Sequence, residues 1–203
     1  MDAFYFVTHR IFGLSASAQN SIWKAQWITH TTEDELHYGV FVFRKQTHLT
    51  DVPTNAWLRI SADNEYKHYV NGQRVEYGTH KGDLDNKYYQ RIDIAPFLKN
   101  GENTIAVQVS NMGIYKGWYQ VSHSMALVAE DEGPLAVFNT NKSWKVARNP
   151  AFHPYFFNSL PSWLFRAMPP SNSLVASQYP WGWEQAVFND KEWPPSPPSR
   201  ASL

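Results

Sequence analysis

Three stretches of the chain alternate apolar and polar residues, the period of a β-strand that turns one face to a core. In the first, Ala56, Leu58, Ile60 and Ala62 share one face while Trp57, Arg59 and Ser61 share the other. In the second, Tyr66, His68 and Val70 oppose Lys67 and Tyr69; the third is Asn103-Thr104-Ile105-Ala106-Val107-Gln108-Val109. Asn71-Gly72 follows the second stretch, and Val75 resumes the buried set beyond it. Asn-Gly in such a setting predicts a type I′ hairpin, because both central positions need positive φ. A lone hairpin is marginal in water, so further strands must pair with it. Val40-Phe41-Val42-Phe43-Arg44-Lys45 before it and residues 124–129 after it supply them. Turns are expected at Asp51-Val52-Pro53-Thr54 and at Lys99-Asn100-Gly101-Glu102-Asn103, and Asp93-Ile94-Ala95-Pro96-Phe97-Leu98 reads as one helical turn between strands. The pattern predicts an all-β fold, an antiparallel jelly-roll β-sandwich over residues 21–133.

The texture then changes. Only Pro53 and Pro96 precede Pro134, whereas the last third is studded with proline. Proline withholds donors from a sheet ladder, so residues 134–193 are expected to be a Pro/Trp-rich extension, laid over the sandwich and opening a second β-domain. Trp144, Trp163, Trp181, Trp183 and Trp193 are its expected anchors, while Trp23 and Trp27 are expected to cover one end of the core. Residues 194–203 lack periodicity and are expected to be disordered. Residues 1–20 read either as an export signal, with Ala16-Ser17-Ala18 as its cleavage pattern, or as a disordered N-terminus. The signal reading predicts a secreted or periplasmic protein. No run approaches the ~20 apolar residues of a membrane span.

Charge narrows the partners. Eighteen basic and eighteen acidic residues cancel, so no summed field draws the chain to nucleic acid or to an anionic membrane. Cysteine is absent, which excludes disulfides and thiolate metal sites. Aromatic residues reach 16%, a surplus over core needs that points to exposed rings and hence to sugar or partner contacts.

Residues 23–193 carry an ordered series of motifs: Trp23-x-Ala25-x-Trp27-Ile28, Phe43-Arg44-Lys45, Ser61-Ala62-Asp63, Tyr69-Val70-Asn71-Gly72, Gly82-Asp83 with Tyr88-Tyr89, the helical turn from Asp93, and Ser143-Trp144-Lys145-Val146. Tyr179-Pro180-Trp181-Gly182-Trp183-Glu184-Gln185, then Phe188-Asn189-Asp190 and Trp193, close the series. The chain thereby resembles the N-terminal, non-catalytic part of bacterial α-L-rhamnosidase-like glycoside hydrolases, whose sandwich is of the galactose-binding-like kind. In that family the hydrolytic carboxylates reside in a later α/α-barrel. The resemblance therefore implies a truncated piece, with no catalytic residue of its own and with the remaining domains of a parent enzyme as partners. It implies an accessory module, either binding carbohydrate, such as L-rhamnose or a related sugar of plant or microbial polysaccharides, or serving purely as an interdomain docking piece.

The residues themselves agree that hydrolysis is not built here. Glycoside hydrolysis needs two carboxyls held across a sugar. Glu33-Asp34-Glu35 and Glu130-Asp131-Glu132 read instead as charge runs in solvated loops. Neither a Gly-x-Ser-x-Gly turn nor a His-Glu-x-x-His pattern occurs. His68 is expected to be a hydrogen-bonded core histidine rather than a ligand. Two long polar connections, residues 82–89 and 111–119, hold the groups that a sugar site requires: acceptors beside an aromatic plate. Asp83, Asp85, Asn86 and Asn111 offer the first, and Tyr88, Tyr115, Trp118 and Tyr119 the second. Asp83, Asn86, Tyr88 and Trp118 form the expected site, with Trp118 as stacking ring and Asp83 as acceptor. Asp83 and Asp85 also raise calcium as a cofactor, although two carboxylates fall well short of six or more oxygen ligands.

Overall fold

The computed structural model describes residues 23–30, 37–63, 65–78, 82, 87–117, 122, 124–133, 135–155 and 171–199. Eight of its strands make the sandwich: β1 (Gly39–Leu49), β2 (Trp57–Ala62), β3 (Glu65–Val70), β4 (Gln73–Gly78), β5 (Gln90–Asp93), β6 (Gly101–Asn111), β7 (Leu127–Asp131) and β8 (Lys145–Arg148). One sheet runs β4-β3-β6-β1-β8 and the other β5-β2-β7. All pairings between these strands are antiparallel.

The alternation read from the sequence decides which side chains meet between the sheets. Leu58, Ile60 and Ala62 of β2 and Leu127 and Ala129 of β7 pack against Phe41 and Phe43 of β1, Tyr66 and Val70 of β3, and Ile105, Val107 and Val109 of β6. Burial of this kind contributes roughly 25 cal/mol per Å² of apolar surface, the main force holding the sheets face to face.

The hairpin tip forms as the dipeptide demands, with φ +51° at Asn71 and +82° at Gly72. Tyr69 pairs with Arg74 while His68 pairs with Glu76, so Val75 is an extra residue, a bulge that increases local twist. The helical turn is also present, as a short 3-10 turn at Ala95–Phe97.

Beyond residue 133 the chain adds to the sandwich. β8 completes the edge of the five-stranded sheet beside β1, and Trp144 and Val146 enter the main core. β9 (Phe152–Tyr155) and β10 (Ser171–Leu174) form a separate antiparallel pair. Residues 179–193 then cover the outer face of the five-stranded sheet, where Trp183 buries itself on Val42 and Ala106 with Tyr69, Tyr179, Phe188 and Trp193 around it. The extension thus supplies a small second core on the back of the first, and Trp181 stays outside it, 68% accessible.

Two sequence expectations are corrected here. Residues 194–199 are ordered: prolines withhold donors, yet the carbonyls of Pro194 and Pro197 accept from Val146 N (3.0 Å) and Thr29 N (3.0 Å), while Ser196 N and Ser199 N donate to Trp144 O (2.7 Å) and Trp27 O (2.8 Å). Nor is Glu130-Asp131-Glu132 a solvated run. Glu130 and Asp131 lie at the end of β7 and are buried, because residues 24–25 fold over Glu130 and donate their backbone N–H groups to its carboxylate. Glu33-Asp34-Glu35 lies outside the described residues, as do residues 1–20.

Candidate functional site

Asp63 follows β2 and opens the turn into β3, its backbone N–H held on Ala126 O at 3.1 Å. Its side chain is fully buried, and a buried carboxylate must be matched by donors. Lys87 supplies one, Nζ to Oδ1 at 2.9 Å, with the lysine itself almost buried. The Ser122 hydroxyl donates to Oδ2, and Lys116 Nζ reaches Ser122 O at 3.4 Å. Lys87 belongs to the first long connection, and Lys116 and Ser122 to the second and its continuation. One carboxylate therefore gathers both loops at the same end of the sandwich.

The next residue along the first loop is Tyr88. Its backbone oxygen accepts from Ser61 Oγ at 2.7 Å, so the backbone is fixed although the residue as a whole is 62% exposed. Tyr89 continues toward the outer face of the three-stranded sheet and meets Trp23 edge-on, with ring centroids 5.6 Å apart. The Arg59 guanidinium lies over both rings, 4.7 Å from the Trp23 centroid and 5.6 Å from that of Tyr89. Arg59 is paired with Glu130 and lies 3.6 Å from Glu132. Arg91 stacks on Trp57 at 3.9 Å and pairs with Glu132 at 2.6 Å. Cations held over ring faces and by carboxylates fix the rings in place. The result is a set of oriented rings with guanidinium groups over their faces and carboxylates holding those cations.

Of the expected site residues, Tyr88 is the one described, and it lies at this end with its ring open to solvent. Asp83, Asn86 and Trp118 lie outside the described residues, as do Asp85 and Tyr119. Asn111 is not available as a sugar ligand: it is buried, and its Oδ1 accepts from Gly113 N at 2.8 Å to close the turn after β6. Asp63, Lys87, Ser61 and Ser122 were not singled out as site residues. The two-residue period puts Asp63 on the outward face with Arg59 and Ser61, so the local pattern carried no signal of its burial.

A concavity of about 420 Å³ lies at the opposite end of β3, at the hairpin tip, lined by Asn71, Gly72, Gln73, Lys99, Gln185, Ala186 and Val187. The Asn71 amide is already spent, donating to Phe97 O (2.8 Å) and Asn103 Oδ1 (2.9 Å) and accepting from Thr104 N (3.0 Å). The cleft therefore presents exposed, unanchored side chains where a site needs fixed ones.

His68 is fully buried, as expected, but neither ring nitrogen has a hydrogen-bond partner. Burial lowers its pKa to about 4, so it is a neutral core residue at pH 7. Among the described residues no group of three or more His, Cys, Asp or Glu is placed to hold a metal ion.

Residues 51–159 match the family model for the alpha-L-rhamnosidase N-terminal domain. The alpha-L-rhamnosidase of Streptomyces avermitilis is 35% identical over 109 residues, which are 51% of this chain and 10% of that protein. In structure, the GH78 family rhamnosidase of Bacillus sp. GL1 superposes with a TM-score of 0.74 at 25% identity, covering 87% of this chain and 18% of that one. A lectin from Pleurotus ostreatus shares the fold with a TM-score of 0.51 at 19% identity, over 86% of this chain and 41% of the lectin. The chain thus spans about a tenth to a fifth of the rhamnosidases it matches.

Proposed function

The chain belongs to the alpha-L-rhamnosidase N-terminal domain family, and from that premise we propose that it is a non-catalytic carbohydrate-binding module of an α-L-rhamnosidase-type glycoside hydrolase acting on rhamnose-containing polysaccharides. The observation that carries the reading is the convergence of both long loops on Asp63 beside the solvent-facing ring of Tyr88. Tyr88 is the plate for one face of a deoxy-sugar ring, and Lys87, the residue before it, is held by Asp63. L-Rhamnose suits such a plate because its methyl group adds apolar surface to an otherwise hydroxylated ring. Hydrolysis is assigned to the rest of a parent enzyme, and a secreted or periplasmic setting fits a polysaccharide substrate.

Titration calorimetry of the chain against L-rhamnose and a small glycan panel, with and without calcium, tests this reading. Saturable heat with rhamnose and no release of aryl alcohol from an aryl α-L-rhamnoside is the expected outcome. A specific observation favours a second reading, an interdomain docking role. Trp181, Tyr155 and Leu174 present exposed apolar surface on the extension, and the chain is a small fraction of its relatives' length. Silence across the whole panel would favour that role.

A further inference from the structure

Residues 194–199 read Pro-Pro-Ser-Pro-Pro-Ser, so the only amide hydrogens in the segment are those of Ser196 and Ser199, three residues apart. Both are used. On one side of the segment, Pro194 O and Ser196 N meet Val146 N and Trp144 O at the open edge of β8, with Pro195 opposite Lys145. On the other side, Pro197 O and Ser199 N meet Thr29 N and Trp27 O, with Pro198 opposite Ile28. The backbone groups of residues 194 and 196 face one way along an extended chain and those of 197 and 199 the other, so the segment is bridged on alternate flanks. Ile28 also exchanges two backbone bonds with Leu127 of β7, each 2.9 Å. The segment therefore joins the edge of one sheet to the edge of the other.

We propose that the slot between residues 144–146 and 27–29 is a recognition groove for an extended, proline-rich peptide that offers amide hydrogens three residues apart, and that residues 194–199 are its intramolecular occupant. Two observations and one general property of proline-rich chains support a ligand-like occupant. All four bonds are backbone bonds, the mode by which sheet edges accept peptides in trans. Proline-rich segments are already extended and lose little conformational freedom on docking. The Ser196 hydroxyl is buried without a partner, so recognition runs through its N–H and not its side chain.

The chain can be tested after folding whole. A protease site inserted between Trp193 and Pro194 allows folding first and cleavage second. A fluorescent peptide spanning residues 194–203 is then added, and anisotropy follows its exchange with the cut segment. The expected result is saturable exchange, retained by the Ser196→Ala peptide and weakened at least about tenfold by a Ser196→Pro, Ser199→Pro peptide, which lacks both donors. A cut chain that takes up no peptide, or one that takes up the donorless peptide equally well, would overturn the proposal. If the insertion itself prevents folding, the uncut chain carrying Ser196→Pro and Ser199→Pro is compared with Ser196→Ala. A lower melting temperature for the proline variant alone supports backbone recognition, and equal melting temperatures contradict it.

Discussion

Arg44 Nε lies 3.2 Å from Asp190 Oδ2, with the guanidinium wholly shielded from solvent. The same guanidinium donates to Phe188 O at 3.3 Å and Gln185 O at 3.0 Å and lies 5.3 Å from the centre of the Phe188 ring. Burial lowers the Arg44 pKa, and Asp190 and then Glu184 oppose that shift. An arginine in the second position after the core residue Val42 thus acts as the clamp for the C-terminal covering, which places Trp183 on the sheet.

Asp190→Asn is therefore expected to cost about 3 kcal/mol, the typical penalty for leaving one partner of a buried pair uncompensated. Lys145 also reaches Asp190, at 2.8 Å, but its side chain is 35% exposed, and Lys145→Ala is expected to cost no more than about 1 kcal/mol. Urea denaturation of the two variants measures the difference. Equal losses would show that Arg44 does not depend on this carboxylate.

His68 makes stability depend on pH. Folded, it titrates near pH 4 because burial disfavours its charged form; unfolded, it titrates near the usual ~6.5. Above that value both states are neutral and the native state keeps its full stability. As the pH falls from ~6.5 toward 4, the unfolded state takes up a proton that the folded state refuses. The expected loss is about 3 kcal/mol, levelling off below pH 4. His68→Leu should remove this part of the slope between pH 7 and 4, measured as the urea midpoint at each pH. An unchanged slope would mean that other groups carry the acid sensitivity.

Gly72 has φ +82°, and a Cβ built there comes 3.1 Å from Gln185 Cγ. The Gln185 side chain can swing away, so the contact is relieved cheaply, but the left-handed backbone cannot be. Gly72→Val is expected to lose more than about 1 kcal/mol by the strain of a β-branched residue at positive φ. A variant as stable as the parent would show that the turn relaxes to another type.

The two-residue period and the Asn-Gly dipeptide made the sandwich readable in advance, because each inward position of β2 needed only its own local pattern to be identified. Glu130 was misread because nothing in Glu130-Asp131-Glu132 reveals that Arg59 and the backbone of residues 24–25, over a hundred positions earlier, would converge on it. The tail was misread for a related reason. Its prolines argue against a ladder, and only the pairing partners show that the two serines fall where donors are needed. At the site, the aromatic candidate Tyr88 was visible from composition and loop length. Asp63 was hidden because a carboxylate that joins two distant loops looks, in one dimension, like any turn residue.

The measurement that bears most directly on the carbohydrate-binding reading is the affinity for L-rhamnose of the native chain and of Tyr88→Ala, by titration calorimetry at low and high salt. Tyr88 is largely exposed and its backbone, not its ring, holds the loop, so the variant should fold normally. The account predicts saturable binding by the native chain and little dependence on salt, since the chain carries no net charge. It also predicts a loss of at least about fivefold in affinity on removal of the ring, corresponding to roughly 1 kcal/mol. No heat at millimolar rhamnose, or an affinity that Tyr88→Ala leaves intact, would contradict it.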